Sequence, residues 1–570
     1  MEDIGRSAAG RELGMGRAIS RRDFFDGVAV TAGAAALTGP ARPGAVYAAA
    51  SAPVAAFRGN TSQALGVLHA LRDGRFWQQA DPPEPTGERY DLVVVGAGLS
   101  GVSAAHEWLR RHPGARVLIL DNHDTTGGHL QRPGSGSMAA PATWTPEFRD
   151  LLDGLGVAAA PCQECGADDS VMCDRETFPV EVLVRTGAPA GEWIGVLPVA
   201  DAAREDLLAL YANPADPFPG LPAEAKHERL AGFTYSRYLL EALRVHPDAE
   251  RFLRTLPSAA WGYDTRALGA VDAWGLGYPG FGGLGLDASK PSRFSAPTVA
   301  KEWGTAGRVA HLPGGVHGLI RAMLDQTSAR LRLSSPVVSV RNDGPPETAS
   351  SATVAYFDGH GVRSVAAGAV ILACWHAVVP YLVEDLPREQ REALRAAVKT
   401  PLVEALVRLR GGDAWQRLGV ARTRWTGAYW SLSELVRHSA GGVTARLVAT
   451  PSRSELGPAE GAVAGRHALL RTPYETLEFG ARDQLARLLG PGGFDPGRDV
   501  EEVTVYRWGH GYAPEYCRPW HGFHPDGPSP AETARRRFGR IALAGSDAAP
   551  SARADAAVTA AHRAVGELME

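Results

Sequence analysis

Gly96-Ala97-Gly98-Leu99-Ser100-Gly101 holds three glycines at the spacing of a turn that must be tight and must let a ligand come close to its backbone amides. The chemistry available to such a turn is the binding of a dinucleotide pyrophosphate at a helix N-terminus. Alone the spacing says little, but Asp121 follows Gly101 by twenty residues, where a carboxylate accepts hydrogen bonds from an adenosine ribose. Just beyond it, Gly127-Gly128-His129 adds a second glycine turn. That turn suits the close passage of a flavin nucleotide, FAD, and nicotinamide enzymes usually lack it.

The elements around these residues read as the unit that positions them. Residues 91–95 form an apolar run closed by glycine, as a buried parallel strand does, residues 100–111 carry helical spacing, and residues 116–120 read as the next strand. Strand, glycine turn, helix and strand make a βαβ unit of a doubly wound sheet. The predicted organisation is an arm at 51–89, a FAD-binding Rossmann domain in three parts at 90–161, 306–380 and 506–570, and an α+β substrate domain at 162–305 and 381–505. Within the substrate domain, helical runs are expected at 229–244 and 249–256, a glycine-rich loop at 275–285, and sheet strands at 402–409, 425–430 and 446–449. Strands at 337–340, 354–357, 369–373 and 541–544 return the chain to the first domain.

With 570 residues, 45% hydrophobic and 21% charged, the chain can bury a large core. A formal net charge of -4 without a basic, aromatic-rich stripe argues against nucleic acid as a partner. No apolar run reaches the roughly 20 residues that a membrane-spanning helix needs. Residues 1–50 differ from the rest: Ser20-Arg21-Arg22-Asp23-Phe24-Phe25, a mildly apolar stretch and small residues near Ala48 read as a twin-arginine signal peptide. This implies export, to the periplasm or beyond, through the twin-arginine machinery. Five cysteines do not make a disulfide scaffold, and Cys162-Gln163-Glu164-Cys165, with Cys173 nearby, reads as a local disulfide or as free thiols; no metal site is expected.

The two glycine turns and the ribose acid resemble those of the glutathione-reductase-type flavoproteins of the flavin amine oxidase superfamily. The superfamily's second turn is usually followed by Arg, where this chain has His129, so Arg132 is the candidate substitute. Pro313-Gly314-Gly315 with the strand through Val338, and Ile541-Ala542-Leu543-Ala544-Gly545-Ser546-Asp547, extend the resemblance. It implies that Gly314, Gly315 and Val338 belong to the cofactor site and that Gly545 and Asp547 approach the flavin. Arg58-Gly59-Asn60, residues 119–124 and Arg507-Trp508-Gly509-His510-Gly511-Tyr512 narrow the resemblance to spermidine dehydrogenase-like proteins. Such a protein would oxidise an amine, such as a polyamine, and pass electrons to dioxygen or another acceptor. Some relatives also hold b-type haem, for which no ligand maps onto this chain.

In that superfamily, aromatic residues ahead of the last flavin-binding segment flank the amine, which makes Trp508, Tyr512 and Tyr516 candidates. His510 adds a ring that titrates near neutrality and could move a proton or orient substrate. The lysine that many amine oxidases carry on a strand like residues 402–409 is missing there; Lys399 lies just upstream and Glu404 within. Glu515 and Asp264 are conceivable partners of a remote ammonium, though solvated acids are the blander reading. Two alternatives stay open: a flavin-dependent desaturase or oxidase of a non-amine metabolite, and a redox-silent flavin-binding protein.

Overall fold

The computed structural model describes residues 56–131, 137–161, 169–305, 309–437 and 441–570. The expected signal peptide at 1–50, Arg132, and the Cys162 and Cys165 pair lie outside them.

The strand Glu84–Val95 is central because its last four residues are apolar and buried on both faces. Leu92 and Val94 pack with Ala104 and Trp108 of helix Leu99–Arg111 and with Val565 and Leu568 of helix Ala554–Met569. Val93 and Val95 enter the opposite layer with Val67, Phe76, Val379 and Leu394. Burying one such side chain contributes about 1.5–3 kcal/mol, so neither layer can be peeled away cheaply. Glu84–Val95 pairs in parallel with Val362–Leu372 on one side and Val117–Leu120 on the other, and Ile541–Leu543 joins the end of Val362–Leu372, also in parallel. Val337–Asn342 and Ala352–Phe357 extend this seven-stranded sheet as an antiparallel flap, and Arg330–Arg332 closes the other edge.

A second, eight-stranded sheet runs Ala56–Gly59, Val500–Tyr512, Thr400–Leu409, Val443–Ala449, Leu432–Arg437, Arg422–Trp425, Ser170–Cys173, Val182–Arg185. One face is covered by Leu477, Ala481, Leu485 and Leu488 of helix Tyr474–Leu489. A helical unit between residues 190 and 301 has its own core, in which the Tyr238 and Phe281 rings stack at 4.8 Å. The chain thus has the α/β fold expected, a Rossmann domain interleaved with a second domain. No helix among the described residues is long and apolar enough to cross a membrane.

Several expected boundaries move. The predicted arm is a strap between the domains: Ala56–Gly59 pairs with residues 504–507 of the larger sheet, whereas Val67, Ala70 and Leu71 of helix Ser62–Arg72 pack into the Rossmann core. Val500–Tyr512 belongs whole to the larger sheet, so the last crossing lies after Tyr512 and not at 506. Leu382, Leu386 and Leu394 pack against the Rossmann sheet, which carries that domain beyond residue 380. The strand expected at 425–430 ends at Trp425, where the Asp174 carboxylate takes the amides of Gly427 and Ala428 and turns the chain. The single helix expected at 229–244 is broken at Gly232, and Thr234 caps a fresh start by accepting from the Arg237 amide.

Two glycine-to-alanine changes with opposite signs test this packing. A Cβ on Gly101 would lie 1.9 Å from the Gly96 carbonyl oxygen, so Gly101→Ala should cost about 1–3 kcal/mol of overpacking or more. Gly66, in helix Ser62–Arg72, has nothing within 4 Å of an added Cβ, and Gly66→Ala should gain about 0.5–1 kcal/mol. Urea unfolding of the two variants beside the parent checks both signs.

Candidate active site

A cavity of about 670 Å³ opens where the carboxyl ends of the parallel strands meet the uncovered face of the larger sheet. Ligands of open α/β sheets bind at such strand ends. Gly96, Gly98, Asp121, Gly127, Gly128, His129, Gly545 and Asp547 line it, together with Trp508 and Tyr512. Gly96 has φ +112°, and a Cβ there would lie 2.9 Å from the Ala373 carbonyl oxygen, so only glycine fits. The Gly127 amide donates to the Ala97 carbonyl at 2.9 Å, locking the two glycine turns face to face. Asp121 braces the same loop: one oxygen accepts from the Ala97 amide at 2.5 Å and the other from the His123 amide at 2.8 Å and from His123 Nδ1 at 2.9 Å.

Other expected residues stand back from the cavity. Gly101 is needed for helix-strand packing and does not line the cavity. Gly314 and Gly315 take positive φ at the start of helix Gly315–Asp325, and it is the next residue, Val316, that reaches the cavity. Val338 is fully buried in the Rossmann core, and its neighbour Val337 lines the cavity instead. The Tyr516 ring packs on Phe523 at 4.9 Å, away from it. His510 lies behind Trp375, with ring centroids 4.4 Å apart, and takes Arg466 Nη1 at 3.0 Å. Burial, reinforced by Arg466, pushes its pKa well below the usual histidine value, so it stays neutral. Asp264 is bound to Arg266 at 2.6 Å, outside the cavity. Glu515 lines the cavity and is buried, not solvated; burial raises its pKa although the Thr298 amide donates to it at 2.7 Å.

Lys399 is what the strand pattern missed. It sits one residue before Thr400–Leu409, is 3% exposed, and donates to Asp547 at 2.7 Å and to Ser546 Oγ at 3.2 Å. The other Asp547 oxygen accepts the His376 amide at 2.9 Å. Burial works to raise the Asp547 pKa, yet Lys399 and the hydrogen bonds outweigh it and hold the carboxyl at about 2. His129, whose accessible surface faces the cavity, is pushed down to about 3 by desolvation and by Lys399. The cavity centre therefore holds an ion pair and a neutral imidazole.

Trp508 is 1% exposed; its ring meets His129 edge-on at 4.9 Å and lies 5.6 Å from His123. Tyr512 is fixed by its hydroxyl, which donates to the Ala259 carbonyl at 2.7 Å. Sequence reading also missed Trp375, although its position directly after the parallel strand Val362–Leu372, where strand ends face ligands, was a usable signal. On the opposite wall, Glu404 is buried and bound by Arg446, Arg446 reaches Glu434 at 3.2 Å, and Glu434 takes Arg422 at 2.6 Å. Cys173 and Cys374 are free thiols, each pushed to about 12 by burial, so neither is a thiolate near neutral pH. Among the described residues no His, Cys, Asp or Glu cluster could hold a metal ion.

Residues 94–139 match the family of NAD(P)-binding Rossmann-like domains. Solved structures share the overall fold. Putrescine oxidase bound to putrescine superposes with a TM-score of 0.55 at 17% identity, over 84% of this chain and 99% of that one. Cyclohexylamine oxidase from Brevibacterium oxydans IH-35A gives 0.55 at 17% identity, over 84% of this chain and 98% of that one. At these identities the likeness is one of fold. No curated protein matches the chain by sequence.

The buried histidines give the pH dependence a sign. Burial, with Asp547 opposing and Lys399 assisting, lowers the His376 pKa to about 4. Its folded value lies below the unfolded value of 6.5, so the unfolded chain binds the extra proton as pH falls from 6.5 toward 4. Stability should drop across that window by up to about 1.4 kcal/mol per pH unit from this residue. Urea unfolding of His376→Leu at a series of pH values should show a slope shallower by that amount; an unchanged slope would contradict the assignment.

Proposed function

We propose that this chain is an FAD-dependent oxidoreductase that oxidises an amine to an imine. The observation that carries the reading is the single cavity joining the two glycine turns and Asp121 to a wall of Lys399, Trp375, Trp508 and Tyr512. The residues fit the cofactor. Gly98 caps helix Leu99–Arg111 with no side-chain hydrogen bond, leaving first-turn amides to a pyrophosphate, and His123 Nε2 and Trp508 Nε1 are buried without a partner among the described residues. Gly96, Gly98, Gly127 and Gly128 would hold the pyrophosphate region, Asp121 the adenosine ribose, and Gly545 with Asp547 the ribityl and ring end. His129 lines this same path where relatives carry Arg, and Arg132 is retained as its proposed complement.

When bound, FAD supplies the acceptor for the hydride that leaves the carbon next to nitrogen. The chain's own residues prepare the substrate. Lys399 and Asp547 hold each other in place at 2.7 Å on the cavity wall, and desolvation in the cavity favours the neutral amine, whose lone pair becomes the second C–N bond. Trp508, Trp375 and the tethered Tyr512 exclude water and restrict the approach of the carbon. The two electrons pass on to dioxygen or to another acceptor. The motifs around Arg58, Trp508 and Asp547 favour the spermidine dehydrogenase-like branch, and Arg21-Arg22 in residues 1–50 supports export by the twin-arginine route.

Purified protein should show a flavin spectrum that bleaches anaerobically with at least one of spermidine, putrescine or a simple monoamine. Lys399→Met should slow that bleaching at least about tenfold, which is about 1.4 kcal/mol of barrier. A folded sample without flavin would overturn the cofactor assignment, and a flavin band untouched by every amine would overturn the reaction. A protein named for protoporphyrinogen oxidation, from Exiguobacterium sp. 255-15, shares the fold at a TM-score of 0.54 and 16% identity over 85% of this chain and 99% of its own. That likeness favours a non-amine metabolite as the second reading, which predicts bleaching by uncharged compounds only.

A further inference from the structure

Beyond the wall of Ala259, Ala260, Tyr278, Arg422 and Leu432 lies a second chamber of about 470 Å³, and these five residues face both spaces. Among the described residues that line it, two are arginines, Arg422 and Arg424, and none is an aspartate or glutamate. The sheet register explains their common direction. Arg422 stands opposite Glu434 and Arg424 opposite Leu432, and alternate residues of a strand share a face.

The two arginines are satisfied differently. Arg422 is bound to Glu434 at 2.6 Å. Arg424 is 4% exposed and has no carboxylate partner among the described residues. Its Nη1 donates to the Phe252 carbonyl at 2.8 Å and to Thr255 Oγ1 at 3.0 Å, and its guanidinium lies over the Phe252 ring at 5.1 Å. Among the described residues every hydrogen bond it makes uses Nη1; Nε is closed off without a partner, and Nη2, which makes no hydrogen bond and is not among the fully enclosed atoms, is the donor left for a ligand. A guanidinium removed from water without a counter-ion is costly, so an anion that accepts from Nη2 gains both charge pairing and a hydrogen bond.

We infer that the second chamber receives the anionic end of the substrate, so that the amine oxidised carries a carboxylate remote from its nitrogen, held by Arg424 with Arg422 beside it. The inference rests on the amine-oxidation reading and narrows it. A polyamine would bring a second ammonium toward two guanidinium groups. The acids of the main cavity are mostly engaged: Glu404 by Arg446, Asp555 by Lys301 at 2.7 Å, Glu302 by Arg553 and Asp547 by Lys399, while Glu515, without a cation beside it among the described residues, is taken by the Thr298 amide and has its pKa raised by burial. A terminal carboxylate turns the repulsion from the guanidinium groups into attraction.

The test compares, on the flavin-loaded protein, unbranched ω-amino acids from 4-aminobutanoate to 8-aminooctanoate with the alkylamines and diamines of matching length. Steady-state turnover with an artificial electron acceptor gives KM and kcat, anaerobic flavin reduction shows which compounds reduce the flavin, and calorimetry with glutarate and adipate gives binding without turnover. At least one ω-amino acid should show a KM lower by about tenfold or more than its alkylamine, the scale of one charge-assisted hydrogen bond. Arg424→Gln should abolish that difference through KM and weaken dicarboxylate binding similarly, and Arg424→Lys should restore part of it. Equal KM values, a preference for diamines, or dicarboxylates that do not bind the parent protein would each overturn the inference, and these comparisons need no variant to fold. Reduction by alkylamines without carboxylate preference leaves amine oxidation standing and removes only the chamber's assignment. Dicarboxylate binding that depends on Arg424, with no amine reducing the flavin, upholds the anion site and removes the amine.

Discussion

The buried ion pair between Lys399 and Asp547 is the contact on which the geometry of the cavity depends. Lys399 immediately precedes a strand of the larger sheet and Asp547 follows the last strand of the Rossmann sheet, so one 2.7 Å contact fixes the two sheets to each other across the cavity. Both side chains are 4% exposed, and desolvating two ions costs several kcal/mol each. The remaining valences are therefore used: the His376 amide donates to the carboxylate, and Ser546 Oγ accepts from the ammonium. Such a pair is weak evidence for stability, because apolar replacements of matched shape often do as well. Its effect is on placement. Losing one partner strands the other charge, at a cost of about 3–5 kcal/mol, so the two domains cannot slide without breaking it.

Burial sets the charge state of the pair's neighbours, with Lys399 acting in the same direction and Asp547 against it. His129 and His376 are held neutral, with pKa values of about 3 and about 4, because burial removes the solvent that would stabilise an imidazolium and Lys399 repels it. Asp272 shows burial acting without such a partner. Its carboxyl, fully buried and bonded to the Ala296 amide at 2.7 Å, rises to about 8. Two aspartates in one protein thus differ by several units because one has an ammonium beside it and the other does not.

The nucleotide half of the cavity was legible in the sequence because its constraints are local. Gly96 must be glycine for a positive φ and a close backbone approach, and both needs show within a few residues. The same local signal misplaced Gly314 and Gly315, since a turn glycine looks alike whether its turn faces the cavity or the helix behind it. The substrate half was less legible because its contacts are not local. Lys399 and Asp547 are 148 residues apart, and no spacing rule links them. Lys399 was visible only as a residue upstream of the strand, because the side chain that reaches the cavity precedes the first residue of Thr400–Leu409. Arg422 and Arg424 went unread because their strand was expected at 425–430, three residues too late to include both.

Charge on the open face of the larger sheet follows from register. Arg422, Glu434 and Arg446 are direct cross-strand neighbours, and Glu404 lies one diagonal step from Arg446, so opposite charges alternate across four strands. Opposite charges so placed support a sheet, and like charges would oppose it. The alternation consumes both glutamates. Arg424, one rung along its strand from Arg422, faces Leu432 across the ladder and finds only a carbonyl, a hydroxyl and an aromatic face. A sheet selected for stability alone gains nothing from a third arginine there, since an apolar side chain opposite Leu432 would bury more cheaply. The surplus positive charge is therefore unlike the rest of the ladder, and it sits on the side of the sheet that faces the second chamber, where a ligand and not a neighbouring strand can complete it.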